Sequence, residues 1–355
     1  MYAERKTASA AHVMLMIVED IVYGSKEIKE NVLIDLMAAK AFIRLKGICN
    51  QGVPKEYILP SQPNFYRYEH CVGVMLALKM VNATLEEQVA GLLHDVSHTA
   101  FSHLIDYVFG GGQNEDYQDK IHYKFFADGT ELSNILEKHG FNPNKISDLK
   151  AYGLLEREQP QLCADRFDYT LRYWAHSGDL TFVKSCIGAV TAKDGVMVFN
   201  SFETAKEFAE KHTIWQPEWK GWGGTQFDMR IRWYIFGSAL EIAIEKGIVA
   251  KEDFLETDSY VLGKLKRAND PEITKLLDLL SKPLQYEVTD EEPKVTLKSK
   301  FRYVDPMFMQ DGKIKKVSEI DNQFNKTTEE HRRMNEIGIK LKSIKGIEVP
   351  ISVKA

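Results

Sequence analysis

Residues 92–106 read LLHDVSHTAFSHLID, and this stretch restricts the fold more than any other part of the chain. Three histidines and two aspartates occupy fifteen positions between apolar residues. Titratable groups carried inward with a core must be paired or bound to a cation, so the pattern is that of a metal site rather than of surface decoration. On a helix a step of four returns to nearly the same face, which lets His94 and His98 point into one cleft with Asp95 about 100° away. Adjacent His94 and Asp95 can then serve one ion from neighbouring directions.

The flanking chain offers further donors. A Gly- and Pro-punctuated connector over residues 47–63 delivers Arg67-Tyr68-Glu69-His70, after which Val72, Met75, Leu76, Leu78 and Met80 outline a helix. Thr84 and Glu87 have the spacing of a capping box and start the helix that leads into His94 and Asp95. Two antiparallel helices joined by this short turn place His70 beside that pair. Past Gly110-Gly111-Gly112, which lacks the ending of a phosphate-binding P-loop, an acidic loop with Glu115, Asp116 and Asp119 leads to His122. Five of the ten histidines fall between positions 70 and 122, which favours a shared site. Residues 160–172 are expected to be helical from Pro160 onward, with Asp165, Asp168, Tyr169 and Arg172 on one face. Asp165 is the candidate fourth ligand.

Composition bounds the alternatives. With 355 residues, 44% apolar and 27% charged, the chain can bury a substantial core in one large or two fused domains. A net charge of −5 argues against a protein built to coat nucleic acid. Four widely spaced cysteines without a C-x-x-C pair indicate neither a zinc knuckle nor a disulfide framework, and fit a reducing cytoplasm. The apolar stretch over residues 8–18 ends at Glu19-Asp20 and is too short to span a bilayer, so no membrane association is expected.

Elsewhere, residues 13–22 and 32–46 carry apolar positions at helical or mixed spacing, which suggests a helix burying one side. A short strand is expected over 195–199, helices over 202–212, 231–246 and 253–280, and a loop holding Trp215, Trp219 and Trp222. After Pro283 the pattern turns to strand over 294–304, a hairpin around Asp311-Gly312, and a last helix opened by Thr327. Lys298, Lys300, Arg302, Lys313, Lys315 and Lys316 make this lobe basic.

The order His70, His94-Asp95, Asp165 resembles the HD-domain phosphohydrolase superfamily. The motifs R-[FY]-E-H-x-x-G-V, A-G-L-L-H-D-x-x-H-x-x-F-S-H and A-D-R-x-D-Y are similar to its dNTP triphosphohydrolase branch, which includes bacterial dGTPases and the sterile-alpha-motif and HD-domain enzyme of vertebrates. The resemblance runs from about residue 20 to 180, with a weaker echo at residues 300–306. It implies a divalent metal held by His70, His94, Asp95 and Asp165; a set of two imidazoles and two carboxylates suits Fe, Mn, Ni, Zn or Mg. Additional Mg would accompany substrate phosphates. It implies that His98, His103, Asp106 and His122 surround the reacting phosphate, with His122 oriented by Asp106 as proton donor to the leaving oxygen. Arg67 and Arg166 would clamp phosphates, and Tyr169 would stack near the sugar. Tyr173 stands where relatives carry an aspartate that reads the sugar 3′-hydroxyl, a departure that bears on sugar selectivity. Arg230, Arg232 and Tyr234 are candidates for a downstream arginine and tyrosine pair, although a structural helix face accounts for them better.

The resulting expectation is a mainly α fold. An HD-domain helical bundle occupies residues 1–180, a helical supporting lobe 181–282, and a small β-containing basic C-terminal lobe 283–355. The activity implied is hydrolysis of a (deoxy)nucleoside triphosphate at the α-phosphate, giving nucleoside and triphosphate. A homo-oligomer and a regulatory nucleotide are implied as partners. Alternatives are an HD-type nucleotide monophosphatase or phosphodiesterase, and, from another class, a non-catalytic nucleotide-sensing or single-strand-binding module.

Overall fold

A computed structural model describes residues 5–6, 15–60, 62–110, 114–214 and 225–349; Gly111, Gly112, Trp215, Trp219 and Trp222 lie outside the described residues. Helices dominate. Arg67–Met80 is buried along nearly all its length, as befits a helix at the centre of a bundle, and Leu85–Leu93 and Ala164–His176 pack against it. The Thr84 hydroxyl accepts from Glu87 N at 3.2 Å, starting Leu85–Leu93 where the sequence pattern places it. Glu87 does not close the box. Its carboxylate turns inward to accept from Leu154 N and Leu155 N at 2.7 and 3.1 Å, tethering the chain that leads to the Asp165 helix. That helix starts at Ala164, not at Pro160.

Residues 92–106 are not one helix. Leu85–Leu93 ends with His94 as its C-cap, turns follow, and helix resumes only over Leu104–Val108. The interruption has identifiable partners. Arg44 donates to the Val96 and His98 carbonyls at 2.8 and 2.7 Å, Asp258 accepts from Phe101 N at 2.8 Å, and Phe101 and Ser102 take left-handed φ values of 66° and 49°. Tertiary hydrogen bonds therefore replace the helical ladder, which satisfies the same backbone groups.

Two hydrophobic clusters flank this segment. One gathers Val96 with Phe42, Leu93, Phe167 and Phe208; the other gathers Phe101, Leu104 and Ile105 with Phe236 and Phe254. Residues 96–105 thus pass from one core to the other and present their polar side chains at the seam.

The N-terminal expectation is corrected. Leu15–Asp20 is a strand paired with Gly24–Ile28, and its inward Met16, Val18 and Asp20 follow the period of two. The segment after it breaks into Asn31–Met37, Lys40–Ile43 and a tight 3₁₀ turn at Arg44–Gly47, rather than one helix over 32–46. In the second half, Val190–Lys193, Val196–Phe199, Met307–Gln310 and Lys313–Lys316 form one sheet, with Val198 paired to Met307 in parallel. Asp311 and Gly312 take φ of 51° and 76°, the double left-handed conformation of a tight hairpin turn. The expected strand over 294–304 shrinks to Val295–Leu297, paired with Ile339–Ile344. The last helix, Asn322–Ile337, is capped by Asp321 rather than Thr327, because the Asp321 carboxylate accepts from Gln323 N and Phe324 N at 2.8 and 3.0 Å. Among the described residues no helix is long and apolar enough to cross a membrane.

Candidate metal centre

Three elements converge on one point at the seam. His70 comes from the first turns of Arg67–Met80, His94 and Asp95 from the end of Leu85–Leu93, and Asp165 from the start of Ala164–His176. Ligand atoms of His70, His94 and Asp95 all lie within 4.8 Å of one another. Asp165 Oδ1 stands 2.9 Å from His70 Nε2 and 3.6 Å from His94 Nε2, and Asp95 Oδ1 is also 3.6 Å from His94 Nε2. All four expected ligands are therefore brought together.

The surroundings fix how each donor points. The His70 Nδ1 faces Asp168 Oδ2 at 2.8 Å, and His94 Nδ1 donates to the Gly91 carbonyl at 2.8 Å, so both rings aim Nε2 at the centre. Asp95 Oδ2 accepts from Arg67 NH1 at 2.5 Å, and Arg67 Nε donates to Ser102 Oγ at 3.1 Å. His94 Nε2 is buried and has no hydrogen-bond partner, although two carboxylates lie beside it. A buried, unpaired imidazole nitrogen among carboxylate oxygens is the donor set a divalent cation requires, so the residues present fit such an ion. The charges agree. Despite the cost of burial, His94 and then Arg67 and His98 hold the Asp95 carboxyl well below its usual range. Burial opposes a charged His94, but Asp95 and Asp165 raise it well above the usual imidazole value. A divalent cation at this point would supply the positive charge that the Asp95 and Asp165 carboxylates are placed to meet.

A row of further imidazoles continues from this centre. His98 Nε2 lies 3.3 Å from Asp95 Oδ1, and the His98 and His103 rings meet edge to face at 4.8 Å. His98 Nε2, His103 Nδ1 and His122 Nε2 are buried without hydrogen-bond partners. One expected pairing is corrected: Asp106 does not orient His122. Asp106 accepts from Tyr117 N at 2.8 Å and lies 3.5 Å from His103 Nδ1, whereas His122 Nδ1 is held by Ser97 Oγ at 3.0 Å. The short helix Tyr117–His122 is anchored to Asp106 at its first residue and carries His122 at its last, which separates the two. Burial, aided by the charge of His94, pushes the His122 imidazole down to about 4, and burial with Arg67 pushes His98 well below its usual value.

The expected substrate residues fare differently. Arg67 is committed to Asp95, and Arg166 donates to Glu156 Oε1 at 3.1 Å and the Gln161 carbonyl at 3.0 Å. The Tyr169 hydroxyl meets His212 Nε2 at 2.9 Å, with its ring centroid 6.3 Å from that of His70, so it borders the site. Tyr173 packs edge-on against Trp174 in the first core. Arg232 is a structural tie, bound to Asp228 and to the Tyr57, Leu280 and Lys282 carbonyls, and Tyr234 lies in the second core.

Several contributors escaped the sequence reading. Asp168 holds His70 and is itself held by Arg172, whose Nε and NH2 donate to it at 3.0 Å each while NH2 also meets Asp20 at 2.9 Å. Ser97 and Arg44 fix the turns after Asp95. Asp168 and Arg172 stood on the named helix face, but spacing alone does not tell which neighbour a face meets; for Arg44 the sequence carries no signal.

Comparison with known proteins agrees with this geometry. Residues 67–172 match the HD domain family. The chain is 34% identical over 333 residues to the uncharacterised protein YdhJ of Bacillus subtilis, covering 93% of this chain and 100% of that one. It is 30% identical over 276 residues to the metal-dependent phosphohydrolase cns2 of Cordyceps militaris, covering 75% and 77%. A more distant relative, 23% identical over 205 residues, is the deoxynucleoside triphosphate triphosphohydrolase SAMHD1 homolog of Dictyostelium discoideum, of which 37% is matched by 48% of this chain. A phosphohydrolase from Bacteroides thetaiotaomicron shares the fold with a TM-score of 0.54 at 18% identity, over 90% of this chain and 95% of that structure. The chain belongs to the HD-domain family of metal-dependent phosphohydrolases.

Proposed function

We propose that the chain hydrolyses a nucleoside triphosphate, a deoxynucleoside triphosphate in the first instance, at its α-phosphate to release nucleoside and triphosphate. The observation that carries this reading is the row of buried imidazole nitrogens beyond the metal set, His98 Nε2, His103 Nδ1 and His122 Nε2, that make no hydrogen bond. Unpaired buried nitrogens are costly unless a ligand completes them, and a row of them beside a metal set suits a phosphate with its leaving oxygen. Similarity to the SAMHD1 homolog supports the choice of substrate class.

His70, His94, Asp95 and Asp165 would hold a divalent cation, which when bound would supply Lewis acidity toward phosphate charge and a water made nucleophilic at neutral pH. The chain's own residues do the rest. Asp168 and the Gly91 carbonyl orient His70 and His94, and Arg67 steadies Asp95. Ser97 holds His122 with Nε2 free toward the leaving oxygen; phosphate charge bound beside it raises the imidazole from its low value in the free protein so that it can donate the proton, while His98 and His103 hold the α-phosphate oxygens. Tyr169 closes the sugar side.

A second reading is a nucleotide monophosphatase. It is favoured by Arg67 and Arg166, which both already serve internal carboxylates and so leave less charge for a long phosphate chain. Ion-exchange analysis of products separates the two, with each dNTP, NTP and monophosphate incubated under Mn, Mg and Fe. Triphosphate with free nucleoside is the expected result; inorganic phosphate from monophosphates alone would replace the first reading by the second. Hydrolysis that persists in His94→Ala would overturn both.

A further inference from the structure

The C-terminal segment and the helix Thr225–Glu245 bring cations near this site that the metal centre does not use. Arg302 is ion-paired with Glu115, a carboxylate only 6% exposed on a residue whose φ is 51°. Arg230 lies against both Tyr107 and Trp233, 5.5 and 5.2 Å from their ring centroids, and donates to the Lys298 carbonyl at 2.8 Å. Its buried Nε has no hydrogen-bond acceptor. Tyr107 adjoins Asp106 on Leu104–Val108, and Asp106 lies 3.5 Å from His103, so the cluster begins where the row of imidazoles ends. Against the cost of burial, Arg302 foremost, then His103, Lys300 and Arg230, hold the Glu115 carboxyl below its usual range. Glu115 thus faces three basic side chains, Arg302, Lys300 and Arg230, of which Lys300 also faces Asp119.

Carboxylates and phosphates present the same oxygen geometry to a guanidinium, and arginine takes both through paired donors. We propose that Arg302, Lys300 and Arg230 form an anion subsite for the distal phosphates of a polyphosphate substrate, occupied in the free protein by Glu115, which the incoming phosphate displaces. This rests on the nucleoside triphosphate reading above and adds to it a means of telling chain length: a monophosphate at the metal centre does not reach Glu115, whereas a triphosphate exchanges with it. Because only the fraction of molecules with Glu115 withdrawn can bind, the apparent affinity of the wild-type chain is lowered by that fraction. Neutralising Glu115 removes the competition.

Calorimetric titration of the full chain with inorganic tripolyphosphate reads the subsite without turnover. Glu115→Gln should bind tripolyphosphate about tenfold more tightly than wild type, and adding Arg302→Gln should abolish that gain. Lys300 is exposed, so Lys300→Gln keeps the fold intact and should weaken tripolyphosphate severalfold on its own. Unchanged or weaker binding by a folded Glu115→Gln, or unchanged binding by Lys300→Gln, would overturn the subsite. If those results accompany release of triphosphate from nucleoside triphosphates, the subsite falls and the substrate reading stands. Turnover of monophosphates alone would remove the substrate reading, while the titration still decides whether the subsite exists.

Discussion

At the scale of single residues, Gly73 explains why one position in the motif beginning Arg67-Tyr68-Glu69-His70 tolerates no side chain. A Cβ there would stand 2.0 Å from Asp168 Oδ1 and 2.1 Å from Arg172 NH2, the pair that orients His70. Both partner atoms belong to a fully buried ion pair with no room to retreat. Gly73→Ala should therefore destabilise the fold by about 1–3 kcal/mol through overpacking and also lower metal affinity, because the displaced Asp168 no longer holds the ring. Chemical denaturation and metal titration check the two effects; a stable variant with native metal affinity would contradict the account. Asp168→Asn isolates the second effect, since the amide keeps the volume and loses the charge. Its expected result is a 10–100-fold loss of metal affinity, the usual range for a group that orients a ligand histidine. His70, His94, Asp95 and Asp165 were legible in the sequence because each sits in a patterned motif. Asp168 was visible as a helix-face residue only, since its task depends on a glycine about a hundred positions upstream that lets two helices approach.

At the scale of elements, the turns after Asp95 owe their shape to residues remote in sequence. Arg44 donates to the Val96 and His98 carbonyls, and Asp258 accepts from Cys49 N and Phe101 N at 2.8 Å each. Local spacing reads the segment as continuous helix because it sees none of these partners, whereas the helix Arg67–Met80, held by its own ladder and apolar surface, was legible throughout. Arg44→Ala should leave the two carbonyls without their donor, at roughly 1–3 kcal/mol, and reduce turnover through a displaced His98; activity equal to wild type would show that the turns are set otherwise. A second tie joins Asn31–Met37 to Glu131–Lys138, where Asp35 accepts from Lys138 Nζ and His139 Nε2 at 2.8 Å each. Burial works against it, yet these donors hold the Asp35 carboxyl below its ordinary value. A lowered carboxyl contributes stability in full above its unfolded value of about 3.9 and loses it as pH falls through the folded value. Asp35→Asn should thus melt below wild type near neutral pH, and the difference should close as the solution becomes strongly acidic. A difference independent of pH would assign the effect to packing instead.

At the scale of the molecule, the site is built where two cores meet, and the segment that carries His98 and His103 has apolar residues in both: Val96 in one, Phe101, Leu104 and Ile105 in the other. Anything that fixes the seam therefore stabilises both halves together. The metal set takes donors from three elements of the first core, and its row of imidazoles runs on into the second, so ion binding should act on the whole fold rather than on a loop. A ligand bound only by the folded state adds about 2.7 kcal/mol at a hundred times its dissociation constant. Manganese added to the chelator-treated protein should accordingly raise the midpoint of a single calorimetric transition by several degrees. His94→Ala should melt as one transition too, with no response to manganese, since the loss of one imidazole breaks the donor set without opening either core. Two separable transitions, of which only one responds to the ion, would mean that the cores unfold independently and that residues 96–105, with Val96 in one core and Phe101, Leu104 and Ile105 in the other, do not tie them together.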